Sequence, residues 1–177
     1  MPLFERIFAG CGGLVELRAF ADGSSVGRLF CAPNDIGAVL HFALDHRAHD
    51  VYFGVATRQN ATSGQLRNCQ HLGALFADID FKMLPEPAAR AQLARCLLPP
   101  TTIVHSGGGL HVYWTLREPL VLPADAATAY RQLRRLAAAL DADASAAEPA
   151  RVLRLPGSFN VKPVYGAPRL VRVEMVA

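Results

Sequence analysis

Two aspartates, Asp78 and Asp80, close a nearly continuous apolar run at residues 72–80. On a strand, residues two apart point to the same face, about 7 Å from one another. Two carboxylates held that way repel each other and lose hydration. A divalent cation removes both penalties, and a donor set made only of oxygen selects Mg²⁺ or Mn²⁺ over zinc. Taken alone, the pair reads more simply as a finished strand whose carboxylates open a solvated loop.

A second segment, Ser106-Gly107-Gly108-Gly109, leads directly to Leu110 and His111. Glycines let a backbone approach a ligand closely and present N–H groups as an anion nest, with the His111 imidazole beside it. The same residues also suit a flexible hairpin turn followed by a core histidine. A third segment, residues 151–162, spaces Arg154, Asn160 and Lys162 along an otherwise apolar, turn-bearing stretch. These offer a fork, an amide and a point charge to phosphate or sugar, or else plain solubilising charges on a surface loop. Just before it lie Asp141, Asp143 and Glu148. A carboxylate just past a helix end opposes the helix dipole, which hints at a nearby cation without choosing among the three.

Other reactive side chains carry less. Cys69, His71, Cys96 and His105 do not follow a zinc-ligand spacing and read as core residues. His41, His46 and His49 share no helix face and read as solvated. Arg58 reads as a surface charge within reach of a ligand, Tyr52 and Phe53 as partly core, and Tyr113 as a ring that could crowd a sugar 2′ position.

These groups need elements to hold them. Residues 14–20 and 27–31 read as strands around an Asp22-Gly23-Ser24 turn. Asn34 reads as the N-cap of a helix whose Ile36, Val39, Leu40, Ala43 and Leu44 fall at helical spacing. Further strands are expected at 50–56, 72–80, 102–105, 110–116 and 170–176, with 72–80 as a buried central strand. Pro85 and Pro87 open a helix to Cys96, and Pro99-Pro100 stops it. A helix at 124–140 gathers Ala126, Ala129, Tyr130, Leu133, Leu136, Ala137 and Leu140 on one face and turns Arg131, Arg134 and Arg135 away. Interleaved helices and strands with one early hairpin predict an α/β or α+β domain, a mixed β-sheet flanked by helices.

The 177 residues fit one domain, and 51% apolar against 19% charged residues can build a core and excludes a disordered tail. No apolar stretch approaches the ~20 residues needed to span a bilayer. Residues 1–10 carry Glu5 and Arg6 among apolar neighbours and lack the pattern of a secretory signal. The four cysteines have no short repeat spacing and are expected to be reduced, in a cytoplasmic protein. A net charge of +3 is compatible with a nucleic-acid partner without pointing to one. Apart from Lys82 and Lys162 the Lys/Arg set is all arginine, which suits forked phosphate contacts.

Together the three segments resemble the catalytic domain of the archaeo-eukaryotic primase (primase-polymerase) superfamily, most closely its plasmid, phage and mobile-element replication branch. The family pattern begins with a strand ending in Asp-x-Asp, here LFADIDFK at 75–82. A Ser-Gly-Gly-x-His segment follows, here HSGGGLHVYW at 105–114. Last come an acid after a helix and an Arg-Leu-Pro-Gly-x-x-Asn-x-Lys run, here DADASAAEPARVLRLPGSFNVK at 141–162. DVYFGVATR at 50–58 looks like the strand before the first motif in this branch, and the likeness covers roughly residues 30–162.

The resemblance implies a primase-like fold with an RRM-like core. It implies one catalytic domain over residues 1–177, which can be the N-terminal part of a longer protein. The implied reaction is template-dependent, two-metal nucleotidyl transfer that makes or extends primers. Asp78, Asp80 and Asp143 would bind two divalent ions, Mg²⁺ or Mn²⁺, with Asp141 as the alternative third carboxylate and Glu148 where relatives can carry another acid. His111 and the loop of Ser106, Gly107, Gly108 and Gly109 would hold the triphosphate of an incoming (d)NTP. Arg154, Asn160 and Lys162 would hold phosphate or template backbone. The implied partners are a single-stranded DNA template and a helicase or accessory replication domain, with no membrane. Two other classes would use the same residues: a non-catalytic nucleic-acid-binding replication-initiator module, and a two-metal nuclease.

Overall fold

The computed structural model describes residues 2–175. In chain order they form α1 (Pro2–Ile7), β1 (Val15–Ala21), β2 (Ser24–Cys31), α2 (Ile36–Asp45), β3 (Asp50–Gly54), β4 (Ala56–Arg58) and β5 (Cys69–Asp80). Then follow α3 (Glu86–Leu93), β6 (Thr102–His105), β7 (Gly109–Val121), α4 (Ala126–Ala139), β8 (Val152–Arg154), β9 (Phe159–Asn160), β10 (Arg169–Leu170) and β11 (Arg172–Met175). They pair as a four-stranded sheet, β2-β1-β3-β8, a five-stranded sheet, β11-β6-β7-β5-β4, and a small β10-β9 ribbon.

The class is α+β, as the interleaved pattern predicts, but the pairing is not that of a mixed sheet. Every ladder among the described residues is antiparallel. The crossover helices explain this. α2 carries the chain from β2 to the far side of β1, and α3 carries it from β5 to the far side of β7. Strands joined by a helix are therefore never neighbours, because a hairpin partner fills the place between them.

The expected strand at 50–56 breaks at Val55, whose N–H bonds to the Arg151 carbonyl (3.2 Å). There the chain leaves the first sheet and enters the second. The helix after β2 is capped by Asp35 rather than Asn34, because the Asp35 carboxylate accepts the Ala38 N–H (2.9 Å). It buries Val39 and Phe42 while Leu40 and Leu44 stay exposed, since so short a helix has only one contact line. On α4 the buried residues are Ala129, Leu133 and Ala137. The last strand runs to Met175; Val176 lies outside the described residues.

One core cluster lies where Leu17 and Phe53 of the first sheet meet Leu72 and Phe76 of the second, beside Phe4 and Ile7 of α1. Full burial of such side chains contributes about 1.5–3 kcal/mol each. A smaller cluster on the opposite face of the second sheet joins Ala77, Ile79, Leu110 and Val112 to Ala89 and Leu93 of α3. Strand alternation thus sends Ile79 to one face and leaves Asp78 and Asp80 on the other.

Arg58, expected at the surface, is fully buried. Its Nε and Nη2 reach Glu16 Oε2 at 3.1 and 2.9 Å. Nη1 donates to the Ala56 carbonyl (2.6 Å) and Nη2 to that of Ala150 (3.2 Å). Arg28 serves the other Glu16 oxygen through Nε (3.0 Å) and Nη2 (2.8 Å). Glycines leave room for the cluster: a Cβ on Gly54 would sit 2.8 Å from Arg58 Nη2, and one on Gly64 would strike the Glu16 carboxylate. Charges so deep are tolerable only when paired and hydrogen-bonded. Glu16 belongs to β1 and Arg58 to β4, so the pair clamps one sheet to the other.

Arg58→Ala leaves the buried Glu16 Oε2 without its partner, Arg28 still holding Oε1, and should cost about 3 kcal/mol in urea denaturation. Glu16→Leu combined with Arg58→Met should recover much of that loss. Equal losses in the single and double variants would exclude the clamp.

Candidate active site

The β5–β7 register sets Asp78 opposite His111 and Asp80 opposite Gly109. Asp78 is 23% exposed and its Oδ1 lies 3.7 Å from His111 Nε2, close enough to interact but too far for a hydrogen bond. Asp80 is exposed, and its Oδ1 accepts the Lys82 N–H (2.9 Å). His111 is buried, and its Nδ1 has no protein partner. Burial is the main force lowering the His111 pKa from 6.5; Asp78 opposes it, while Arg154 and Arg151 reinforce it. The imidazole is therefore neutral at pH 7.

The three downstream acids separate. Asp143 donates its N–H to the Asp78 carbonyl (2.8 Å), which anchors it beside the pair. Its carboxylate turns to Ser145, accepting the N–H at 2.8 Å and the hydroxyl at 2.9 Å. Burial works to raise the Asp143 carboxyl, but the Ser145 bonds and Arg151 outweigh it and hold it below its ordinary range. Asp141 instead accepts from Gln92 Nε2 of α3 (3.0 Å). Glu148 lines a separate depression with Arg18 and Arg28.

Arg154 is buried at the end of β8. Its Nη1 donates to Asp50 Oδ1, its guanidinium lies over the Tyr52 ring at 4.9 Å, and its Nη2 has no partner. The same Asp50 oxygen accepts the Val161 N–H (2.9 Å). Asn160 is buried and spends its amide inside the fold, donating to the Ser106 carbonyl (3.0 Å). Lys162 is exposed at the mouth of the same cleft.

The glycine run is a packing requirement more than an open nest. Ser106 N–H is taken by the Gly109 carbonyl (2.9 Å) and Gly107 N–H by His105 Nδ1 (3.2 Å). Gly107 has φ +85°, and its carbonyl accepts from Arg169 (2.9 Å). A Cβ on Gly108 would strike the Tyr165 hydroxyl, and one on Gly109 the Ile79 carbonyl.

Sequence reasoning missed Asp50, Arg151 and Tyr165. The only signals were a carboxylate opening an apolar strand and a second arginine three residues before Arg154. Tyr113 is fully buried and reaches no sugar.

The cleft holding Asp78, Asp80, His111 and Arg154 has a volume of about 130 Å³, too small alone for a nucleotide, since ligand pockets run to roughly 300 Å³ or more. It opens into a groove of about 650 Å³ through shared Tyr52, Arg151 and Lys162. Among the described residues no three His, Cys, Asp or Glu side chains converge closely enough to hold a metal ion. Asp78 and Asp80 still offer an oxygen-only pair suited to Mg²⁺ or Mn²⁺, and the unpartnered Arg154 Nη2 offers a buried cationic donor to a phosphate.

No protein-family profile matches the chain, and no curated protein sequence matches it. Solved structures do. The primase-polymerase domain of cyanophage S-2L matches at TM-score 0.63 and 19% identity, over 93% of this chain and 82% of that one. The catalytic domain of primase RepB′, solved with initiator DNA, matches at TM-score 0.57 and 16% identity, over 97% and 82%. The polymerase domain of Mycobacterium tuberculosis ligase D, solved with DNA, matches at TM-score 0.56 and 17% identity, over 97% and 76%. The chain has the archaeo-eukaryotic primase fold.

A histidine whose folded pKa lies below its unfolded 6.5 leaves the unfolded chain binding the extra proton. Its contribution is full above about pH 6.5 and is lost as pH falls toward the folded pKa. In metal-free buffer, His111→Gln should flatten the fall in urea stability between about pH 6.5 and 5. A slope unchanged by His111→Gln would assign it to His105, which burial also lowers.

Proposed function

We propose that this chain is the catalytic domain of a DNA primase-polymerase, acting over residues 1–177 as one unit. It would transfer nucleotides from (d)NTPs to a primer or a first nucleotide on a single-stranded DNA template. The observation that carries the reading is the meeting, in one cleft of a primase-type fold, of Asp78 and Asp80 with buried His111 and an unpartnered Arg154 Nη2. Strand carboxylates beside buried donors suit a polyanion that arrives with its cations.

Asp78 and Asp80 would hold two divalent ions, Mg²⁺ or Mn²⁺, with Asp143 joining them by turning from Ser145. When bound, such ions activate the attacking hydroxyl and neutralise phosphate charge. The chain's own groups do the positioning. Neutral His111 can donate one hydrogen bond to the triphosphate without repelling the nearby cations. Arg154 Nη2 would take a phosphate oxygen, and Lys162 would add a mobile charge at the mouth. Asn160 and the glycine loop keep that wall in place from behind. The new bond joins the 3′-oxygen to the α-phosphorus, the α–β bridge breaks, pyrophosphate leaves and the hydroxyl proton passes to water. Preorganised charge of this kind supplies most of the rate in such transfers.

A helicase or accessory replication domain as partner, and a cytoplasmic setting, form part of the same proposal. No helix of the described residues is long and apolar enough to cross a membrane. One observation favours a second reading, the non-catalytic replication-initiator module: both Asp143 oxygens are already engaged by Ser145.

Labelled-nucleotide incorporation on single-stranded DNA, with and without primer and in Mg²⁺ or Mn²⁺, separates the two. The expected result is metal-dependent product that falls at least 1,000-fold, about 4 kcal/mol of barrier, in Asp78→Ala/Asp80→Ala. A folded chain that binds nucleotide and makes no product supports the binding module. Release of monophosphate instead of pyrophosphate would identify a nuclease.

A further inference from the structure

The four-stranded sheet has one face in the core and one only partly covered. Register fixes what the open face carries. Arg28 of β2 opposes Arg18 of β1, Arg18 opposes Tyr52 of β3, and Tyr52 opposes Arg154 of β8. This row crosses all four strands, roughly 14 Å at ordinary strand spacing, and ends on the cleft arginine. Each arginine lies over a ring on the same face: Arg18 over Phe20 at 4.6 Å, Arg28 over Phe30 at 4.7 Å and Arg154 over Tyr52 at 4.9 Å. Phe20 and Tyr52 meet edge to face with centroids 5.5 Å apart.

The row follows open space. The 650 Å³ groove runs past Phe20 and Tyr52 and shares Tyr52, Arg151 and Lys162 with the cleft. Beyond Phe20, a depression of about 470 Å³ holds Arg18 and Arg28, whose side chains are 35% and 39% exposed. Arg18 Nε is buried with no hydrogen-bond partner and lies 3.9 Å from Glu16 Oε1, an oxygen that Arg28 already holds. The acids within the row are already engaged, Glu16 by Arg58 and Arg28, and Asp50 by Arg154 and Val161. Asp22 and Glu148 stand at the rims.

We propose that this face is a track for single-stranded DNA, continuous with the cleft. Alternating rings and guanidinium planes suit unpaired bases, which stack on either, and the cations meet the phosphates. A duplex keeps its bases stacked inside and gains only the charge contacts. The inference rests on reading the cleft as a nucleotide site, and it names the surface that brings the strand there.

The test is fluorescence anisotropy of the 177-residue chain with labelled oligothymidylate, and with a duplex of equal length. Arg18→Gln/Arg28→Gln should weaken single-strand binding at least tenfold. It should also flatten the log–log salt slope by roughly 1.4, the share of two phosphate contacts. Phe20→Leu should weaken binding with the salt slope intact. Arg28 also supports Glu16, so Arg18→Gln alone and Phe20→Leu, each melting like the parent, keep the result interpretable. Binding of a fluorescent nucleoside triphosphate with Mn²⁺ should survive all of these changes. Unchanged single-strand affinity in the folded variants, or equal affinity for duplex, overturns the track. Loss of DNA binding in these variants, from a parent chain that incorporates no nucleotide, keeps the track and removes the transferase reading.

Discussion

The Glu16–Arg58 pair joins a strand of one sheet to a strand of the other with no water between to soften the charge. An apolar contact at that seam would tolerate sliding; a guanidinium held by four acceptor contacts does not. The backbone reinforces the joint, since Leu14 and Arg58 exchange N–H bonds at 2.8 and 2.7 Å. Arg58 also grips the Ala150 carbonyl, two residues before β8 begins. The distance from Arg154 on the first sheet to Asp78 on the second is therefore set through this seam. Everything the cleft can do chemically depends on that distance.

Within the cleft, Arg154 is paired with Asp50 and Asp143 with Ser145, while Asp78 and one Arg154 nitrogen stay unpartnered. Asp78 Oδ1 stays 3.7 Å from His111 Nε2, beyond hydrogen-bond reach, and burial works against a charge on that imidazole. Arg154 is aimed by Asp50 through one nitrogen and keeps the other unused. Asp50 thus fixes the direction of the Arg154 guanidinium from outside the cleft's acidic pair.

The residues that line this candidate site were more legible in the sequence than those that support it. Asp78, Asp80 and His111 stand out because their side chains contradict their apolar surroundings, and the ladder does bring them together. Asp50, Glu16 and Arg58 carry no such signal. Each is an ordinary charged residue on a strand, and only long-range pairing buries Glu16 and Arg58 and half-buries Asp50. Asn160 carries a structural duty the sequence does not show: it lines the cleft while its amide donates to the Ser106 carbonyl. The pairing direction of the strands was equally hidden. Local periodicity reports that a helix separates two strands, not that a hairpin partner will slip between them. Leu40 and Leu44 show the same limit: helical spacing identifies a face, but so short a helix has one contact line, which Val39 and Phe42 take.

The placing of β8 has a further consequence. Arg154 and Asp50, the residues that close the first sheet against the cleft, lie 104 positions apart in the chain. The second sheet is assembled almost wholly within that interval, and β11 then returns to complete its edge. The sheets are interlocked rather than consecutive, so no point of scission would yield two self-sufficient halves. Contacts this remote come late in folding and at high entropic cost. On a ribosome, the cleft would remain unmade until the last strands had emerged, so an incomplete chain would carry Asp78 and Asp80 without the wall that faces them.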